Sequence, residues 1–254
     1  MSTEVSVERR GEVLWITITR EERRNAITGN VLDGISNGLA EAEQDRSIRA
    51  VVLTGSGEKA FCAGGDLQDK IFELDPSEPY HRFALLFRQA RRCPVPLIAR
   101  VNGACVAGGM GLLAMCDLAV AAPHAVFALP EVKIGVFPAQ VLTLLQHQVP
   151  RRALTRMCLT GQALTAAQAL EIGIVNEVAA ELDQVLGALL GELIERSPAA
   201  IRRGLYTMKA IESMSFDESM AFTESQIALF AMTEDAREGQ AAFREKREVR
   251  WTGK

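Results

Sequence analysis

The chain has 254 residues, of which 48% are hydrophobic and 24% are charged, and its formal net charge is −4. This balance gives no basic footprint for nucleic acid or an anionic membrane surface, and no apolar run of about 18 residues is present to span a bilayer. The N-terminal stretch lacks the apolar core of a signal peptide, so we expect a cytoplasmic protein. The length suits one large domain, or one domain with a helical appendage.

The first half of the chain alternates predicted strands with predicted helices, which favours an α/β fold. The predicted strands cover Val13–Thr19, Arg49–Gly55, Pro96–Val101 and two segments within Asp117–Pro130. The predicted helices cover Asn25–Asp45 and Ser77–Arg92, where apolar residues recur at helical spacing. The strand at Arg49–Gly55 is apolar, so we expect both of its faces to be covered.

The second half of the chain, after Ala139, is predicted to be mostly helical. Capping patterns mark three helix starts, at Thr165–Gln168, Ser197–Pro198 and Ser215–Glu218, and Gly173 is a plausible helix end. Because no Gly/Ser-rich or Pro-rich linker separates the two halves, we expect one folded unit with a helical tail.

The cysteines and histidines favour structural roles over a disulfide framework or a metal site. The cysteines are odd in number and include no CxxC pair: Cys62, Cys93, Cys105, Cys116 and Cys158. The histidines, His81, His124 and His147, are far apart and have no metal-ligand spacing. We therefore expect buried thiols in a reducing compartment and no bound metal.

The sequence disfavours three kinds of site: a dinucleotide site, a Ser-His-Asp site and a cysteine nucleophile. The segment Gly55–Ala60 matches GxGxxA after a strand, but a further glycine pair follows instead of a helix, so a polar turn is favoured over a dinucleotide site. The sequence contains no GxSxG elbow, so a Ser-His-Asp catalytic site is disfavoured. Cys62 has apolar flanks that would raise its thiol pKa, which favours a buried structural cysteine over a nucleophile.

Two glycine-bearing loops, Lys59–Leu67 and Asn102–Gly111, each follow a predicted buried strand. Glycine lets a ligand approach the backbone closely, and the second loop runs into an apolar helix whose N-terminus adds positive partial charge. Two backbone N–H donors there could hold a carbonyl oxygen that gains negative charge during a reaction. The pattern is equally typical of two tight packing contacts between elements.

Five segments, in this order, resemble the enoyl-CoA hydratase/isomerase, or crotonase, superfamily. They are RRNAI (23–27), KAFCAGGDL (59–67), NGACVAGGMGLLAMCDLAVAA (102–122), FALPEVKIGVFP (127–138) and EGQAAFREKR (238–247). The resemblance implies an α/β spiral of ββα units over residues 1–195. It also implies a C-terminal helical region over residues 196–254 for oligomerisation and CoA contact, in homotrimers or dimers of trimers. Acyl-CoA thioesters are the implied substrates, with no redox cofactor and no metal.

The resemblance assigns the oxyanion hole to the backbone N–H groups of Gly65 and Gly108. It places the Ala63 carbonyl and the Leu67 side chain near the adenine, and Arg24 near the CoA phosphates. Phe243 and Lys246 are similar to a C-terminal pair that reaches CoA across a subunit interface, although REKR is also typical of a solvated charged helix. The remaining substrate-binding positions by resemblance are Ala26, Asp66, Gly111, Pro138 and Gln140.

The acid–base residues depart from the family's two-glutamate arrangement. The first glutamate position is Gly111 here, and the second is Glu131, which stands in an apolar stretch. Burial would raise the Glu131 pKa toward the working pH, which suits proton transfer, whereas a surface glutamate at a strand end is the other interpretation. Ala139 and Gln140 replace glycines beside the acyl pocket. Our hypothesis is that Gln140 supplies a second polar contact, to water or to a carboxylate on the acyl group.

The leading expectation is hydration of a 2-enoyl-CoA with Glu131 as acid and base. Isomerisation of 3-enoyl-CoA to 2-enoyl-CoA is the alternative reaction, because it needs one base. A decarboxylase or hydrolase of the family is a third reaction. A non-catalytic CoA-binding homologue is kept open by Gly111, and the presence of Glu131 weighs against it.

Overall fold

The structure, a computed structural model, describes residues 4–69, 73 and 76–254. The strands are β1 Val5–Arg10, β2 Val13–Ile18, β3 Ala50–Gly55, β4 Ala60–Cys62, β5 Leu97–Val101, β6 Ala104–Val106, β7 Leu118–Ala121, β8 Val126–Ala128, β9 Leu164–Thr165 and β10 Glu177–Val178. The helices are α1 Gly29–Gln44, α2 Arg82–Arg92, α3 Gly108–Ala114, α4 Ala139–Leu145, α5 Arg151–Thr160, α6 Ala166–Glu171, α7 Leu182–Ile194, α8 Pro198–Ile211, α9 Phe216–Ala231 and α10 Glu234–Glu245.

The larger sheet has the order β1-β2-β3-β5-β7-β10 and is parallel except for the β1–β2 hairpin. Alternate residues of β2 enter different cores. Leu14 and Ile16 join the main core with α1, while Val13 joins a second cluster with Leu182 and Leu186 of α7. Every residue of β3 is buried, so the predicted coverage of both faces of this strand is confirmed.

The smaller sheet has the order β4-β6-β8-β9, and its first three strands run parallel. The strands β4 and β6 are three residues long and were not predicted from the sequence. The glycine loops were expected to follow the larger sheet's strands directly. Instead, one short strand intervenes in each case, and the loops leave the smaller sheet.

Local signals set the ends of the helices. Helix α1 begins four residues later than predicted, because the Thr28 hydroxyl accepts a hydrogen bond from the Val31 amide at 3.2 Å. Helix α2 begins after His81 rather than at Ser77. The capping boxes at Thr165 and Ser215 and the N-cap at Ser197 are confirmed. Gly173, with φ +79°, follows the end of α6 as expected.

The five thiols are free and buried, as predicted. Met1–Thr3, which belong to the N-terminal stretch without the apolar core of a signal peptide, lie outside the described residues. Over the ranges that the structure describes, no helix is both long and apolar enough to cross a membrane. The boundary predicted between residues 195 and 196 falls between α7 and α8 and stays a prediction.

Candidate active site

Gly65 is held in place by a short backbone pairing between two loops. The Ile27 amide donates to the Gly64 carbonyl at 2.8 Å, and the Asp66 amide donates to the Ile27 carbonyl at 2.8 Å. This parallel bridge sets Ile27 opposite Gly65. Because residues 64 and 66 make the bonds to Ile27, the N–H of Gly65 between them faces the other side.

The amide of Gly108 lies on that other side of Gly65. A Cβ atom built on Gly108 would lie 3.5 Å from the Gly65 nitrogen, and one built on Gly64 would lie 3.4 Å from the Gly108 nitrogen. Gly108 is the first residue of α3, so its N–H has no acceptor within the helix. Within the described part of the chain, neither amide donates a backbone hydrogen bond. The two N–H groups are therefore neighbours and are available to one acceptor.

Ala107, immediately before the second amide, has a strained backbone. Its φ of +52° and ψ of −123° are unusual for a residue with a Cβ atom. A hydrogen bond from the Ala107 amide to the Ala128 carbonyl, at 2.9 Å, holds this conformation. A Cβ on Gly64 would lie only 2.8 Å from the Ala107 Cβ, and Gly64 itself has φ +97°, so the close approach of the loops requires glycine at residue 64.

Glu131 comes to the same edge of the smaller sheet as the two glycines. The parallel strands β4, β6 and β8 are neighbours in that order, and Gly65, Gly108 and Glu131 follow their respective ends by two or three residues. The register pairs Val106 with Ala128. Since the carboxyl ends of parallel strands meet at one edge, Gly65, Gly108 and Glu131 all follow strands that end at that edge.

The Glu131 carboxyl group is half-buried in the first turn of a 3₁₀ helix, Glu131–Ile134. Its Oε2 atom is buried and has no hydrogen-bond partner among the described residues. Burial raises the Glu131 pKa above its ordinary value of 4.5, and a hydrogen bond from its own backbone amide acts in the opposite direction. Burial is the main cause that raises the pKa of the Cys158 thiol on α5, and the negative charge of Glu131 is the second cause. This thiol therefore lies near the carboxylate.

The side chain of Arg20 ties together the two loops that pair at Gly65. Its Nη1 donates to the Ala26 carbonyl at 2.7 Å, and its Nη2 donates to Asp66 Oδ2 at 3.0 Å. Its Nε pairs with Glu4 at 3.0 Å, and the Arg20 side chain is only 11% exposed. The pKa of Asp66 is lowered first by a bond from the Gln68 amide and then by Arg20.

Replacing Arg20 with methionine is expected to lower the free energy of unfolding by about 3 kcal/mol, because two carboxylates lose a buried partner. Urea denaturation measures the change. Arg23→Met is the control, since Arg23 is exposed and, within the described ranges, its side chain donates to the exposed Gln68. A change within about 0.5 kcal/mol is expected. An unchanged midpoint for Arg20→Met would show that Arg20 does not hold these loops.

The other positions predicted by resemblance divide into two groups. Arg24, Ala26, Ala63 and Asp66 lie beside the Gly65 pairing, where the Ala63 amide donates to the Arg24 carbonyl at 3.1 Å. Leu67 follows them and is 75% exposed. These contacts bring the predicted CoA-binding residues together at one corner of the site.

The second group lies on the later helices. Gly111 and Pro138 are buried, whereas Gln140 is exposed. A Cβ atom built on Gly111 would lie 3.2 Å from Val141 Cγ2. Phe243 is 86% exposed on α10, and Lys246 caps that helix. Helix α10 packs on α8 and α9 in the C-terminal region. The predicted contacts of Gln140, Phe243 and Lys246 with substrate stay predictions.

Cys62 lies in the core, as the sequence indicated. Burial raises the pKa of the Cys62 thiol to about 12, which suits a structural cysteine rather than a nucleophile. The segment after Gly55 forms bends rather than a helix, as expected for a polar turn. Across residues 4–69, 73 and 76–254, no group of three His, Cys, Asp or Glu side chains is arranged to hold a metal ion.

Sequence reasoning missed the aromatic side of the site. A Cβ on Gly108 would lie 3.3 Å from Phe83 Cζ, and one on Gly111 would lie 2.7 Å from Phe87 Cζ. The helical spacing of Phe83 and Phe87 is a clear signal that both face inward, but it does not distinguish core packing from a wall of the site.

Comparisons with known proteins agree with this architecture. The family model described as enoyl-CoA hydratase/isomerase matches residues 8–254. The short-chain-enoyl-CoA hydratase of Clostridium acetobutylicum is 31% identical, with 96% of each chain covered. The 2,3-dehydroadipyl-CoA hydratase of Escherichia coli is 31% identical over 99% of this chain and 100% of its own.

Solved structures give the same result for the fold. The crystal structure of enoyl-CoA hydratase from Mycobacterium smegmatis superimposes with a TM-score of 0.90 at 32% identity, and the alignment covers 98% of each chain. The α/β crotonase fold expected from the sequence is thereby confirmed. The chain belongs to the enoyl-CoA hydratase/isomerase family.

Proposed function

We propose that this chain adds water to a 2-enoyl-CoA, with Gly65 and Gly108 as the oxyanion hole and Glu131 as the acid and base. The main support is that two neighbouring amides and the Glu131 carboxyl group follow adjacent strands of the smaller sheet at the same edge. Over the described residues, the amides donate no backbone hydrogen bond and the buried carboxyl oxygen has no partner. Family members named as hydratases support the same reaction.

In the proposed reaction the water oxygen bonds the β-carbon while the Glu131 carboxylate takes one water proton. The electrons of the carbon–carbon double bond move to the thioester oxygen, which the N–H groups of Gly65 and Gly108 stabilise as an enolate oxygen. The enolate then collapses, and the protonated Glu131 gives the proton to the α-carbon. Water is added in full, and Glu131 returns to its ionised form.

A second candidate is the isomerisation of a 3-enoyl-CoA to a 2-enoyl-CoA, which Gly111 specifically favours. One carboxyl group suffices here, because Glu131 takes a proton from the α-carbon and returns it to the γ-carbon of the dienolate. No second acid or base is needed for this transfer, and residue 111 offers none.

The two reactions differ in product mass. Purified protein is incubated with crotonyl-CoA and, separately, with a 3-enoyl-CoA, and the products are analysed by mass spectrometry. Hydration adds the mass of one water to crotonyl-CoA, whereas isomerisation leaves the formula unchanged and exchanges protons in D₂O. Isomerisation without hydration would overturn the leading proposal, and turnover of neither substrate would overturn both.

We expect the acidic limb of the profile of kcat/KM against pH to reflect the ionisation of the Glu131 carboxyl group. The carboxylate must be ionised in the free enzyme to accept a proton, and burial raises its pKa above 4.5. We therefore expect kcat/KM to fall as the pH drops through a value above 4.5, about tenfold per pH unit for one proton. Steady-state kinetics over a pH series check this, and a profile that stays flat below pH 4.5 would contradict it.

We also propose that the protein works in the cytoplasm, in trimers or dimers of trimers, with CoA thioesters as substrates and no cofactor. Buried free thiols suit a reducing compartment. The C-terminal helices expose large apolar side chains in a single chain: Tyr206, Met208, Phe216, Ile227, Met232 and Phe243. Such surfaces are typical of subunit contacts. Size-exclusion chromatography with light scattering tests the assembly.

A further inference from the structure

A side chain at the buried position of Gly111 would collide with the ring of Phe87. A Cβ atom built there would lie 2.7 Å from Phe87 Cζ and 3.2 Å from Val141 Cγ2. A separation of 2.7 Å is well inside ordinary van der Waals contact, so a side chain at this position would have to displace the Phe87 ring.

Phe87 is held in this place by its own helix. It is 8% exposed, belongs to the main core, and lies one turn after Phe83 on α2. The two rings are 5.9 Å apart and tilted at 54°, an arrangement that stabilises aromatic pairs. Phe83 contacts Gly108 and Phe87 contacts Gly111. These two rings of α2 therefore form an aromatic wall against one side of α3.

The groups around Gly111 would also be unfavourable to a carboxylate. The nearest atoms are ring carbons of Phe87 and a methyl carbon of Val141, and neither side chain can donate a hydrogen bond. An ionised side chain placed there would lose its hydration without gaining a partner. The wall therefore excludes a second acid–base group by both volume and polarity.

We propose that Phe87 occupies the space of a second acid–base side chain at residue 111 and thereby restricts the site to one carboxyl group, Glu131. This inference rests on the proposed function, because it concerns how protons move at the same site. It assigns a specificity-determining role to a residue that helical periodicity alone would place in the core.

The test introduces a second carboxylate at residue 111 and removes the Phe87 ring to make space for it. Gly111→Glu alone is expected to lower the melting temperature and turnover, because the new side chain meets Phe87. Phe87→Ala combined with Gly111→Glu should recover the melting temperature lost to Gly111→Glu. Phe83→Ala combined with Gly111→Glu is the matched control, since Phe83 faces Gly108, and no recovery is expected.

A functional readout separates proton transfer from packing. In an enzyme that already carries Glu131→Gln, adding Phe87→Ala and Gly111→Glu should raise turnover at least tenfold. Adding Phe87→Ala and Gly111→Gln should recover the melting temperature but not the turnover, because an amide cannot exchange the proton.

Three results decide the proposal. It is overturned if Gly111→Glu melts like the wild type, since Phe87 then excludes nothing. It is also overturned if the folded Phe87→Ala/Gly111→Glu/Glu131→Gln enzyme is no faster than Glu131→Gln. If the wild type turns over no enoyl-CoA, the proposed function fails. The melting temperatures of Gly111→Glu and of its combinations with Phe87→Ala and Phe83→Ala then still decide whether Phe87 excludes a side chain at residue 111.

Discussion

Replacing Glu131 with glutamine is expected to lower turnover of the enoyl-CoA substrate by about 10²–10⁴-fold, which is the usual contribution of a general acid–base group. Glutamine keeps the shape of the side chain but cannot accept and return a proton. The oxyanion amides belong to other strands' loops and are untouched, so the variant should still bind CoA esters. Steady-state kinetics and calorimetric binding of a substrate analogue measure the two effects.

The same substitution is not expected to weaken the fold. Because burial raises the pKa of Glu131, the folded protein holds this proton more tightly than the unfolded chain does. The stability contributed by the group is therefore present at low pH and is lost as the pH rises through the raised pKa. Near neutral pH, the variant should unfold at a urea concentration equal to or above that of the wild type.

Glu177→Gln is the matched control, since Glu177 is an exposed glutamate on β10 at the edge of the larger sheet. Its turnover should equal that of the wild type. Full activity in Glu131→Gln would move the acid–base chemistry to another residue, and a loss of folding instead of turnover would make Glu131 a structural group.

Replacing Gly108 with proline is expected to lower turnover by about 10²–10³-fold, because proline has no N–H to donate to the developing oxyanion. Gly108 is the first residue of α3, a position at which proline is tolerated in helices. Proline also disfavours the φ +52°, ψ −123° backbone of the preceding residue, Ala107, so the lost turnover is assigned to the missing N–H donor only for a variant that circular dichroism shows to be folded.

Gly108→Ala is the control for the added bulk. Its Cβ would lie 3.3 Å from both Ile27 Cδ1 and Phe83 Cζ, and it keeps the backbone N–H that proline lacks. The ratio of the two turnover numbers isolates the amide, and circular dichroism verifies that both variants are folded. Equal turnover in the two variants would rule out the Gly108 amide as an oxyanion donor.

The sequence predicted the long elements well because their signals are strong and local. The strands at Val13–Ile18 and Ala50–Gly55 are apolar and β-branched, and the helix starts at Thr165 and Ser215 carry complete capping boxes. The strands β4 and β6 have three residues each, which is too short for any periodicity to register. Their pairing is set by the surrounding tertiary structure.

The candidate site was predictable only in part, for a similar reason. Glycine pairs and a lone glutamate in an apolar stretch are visible in the sequence as Gly64–Gly65, Gly108–Gly109 and Glu131. The contact of Phe87 with Gly111 joins residues 24 positions apart, and no spacing rule connects an aromatic residue on one helix with a glycine on another. The role of Arg20 is hidden in the same way, since its partners Ala26 and Asp66 are brought together by folding.

The two proposed oxyanion donors belong to the main chain, whereas the proposed proton carrier is a side chain. Most point mutations exchange side chains and leave the peptide N–H in place. They therefore seldom remove the N–H donors that stabilise the negative charge. The carboxyl group has no such protection, and a single codon change removes it. Divergence of this scaffold toward new reactions should therefore proceed by changing residues that point from the sheet edge, while the polarised thioester remains common to all of them.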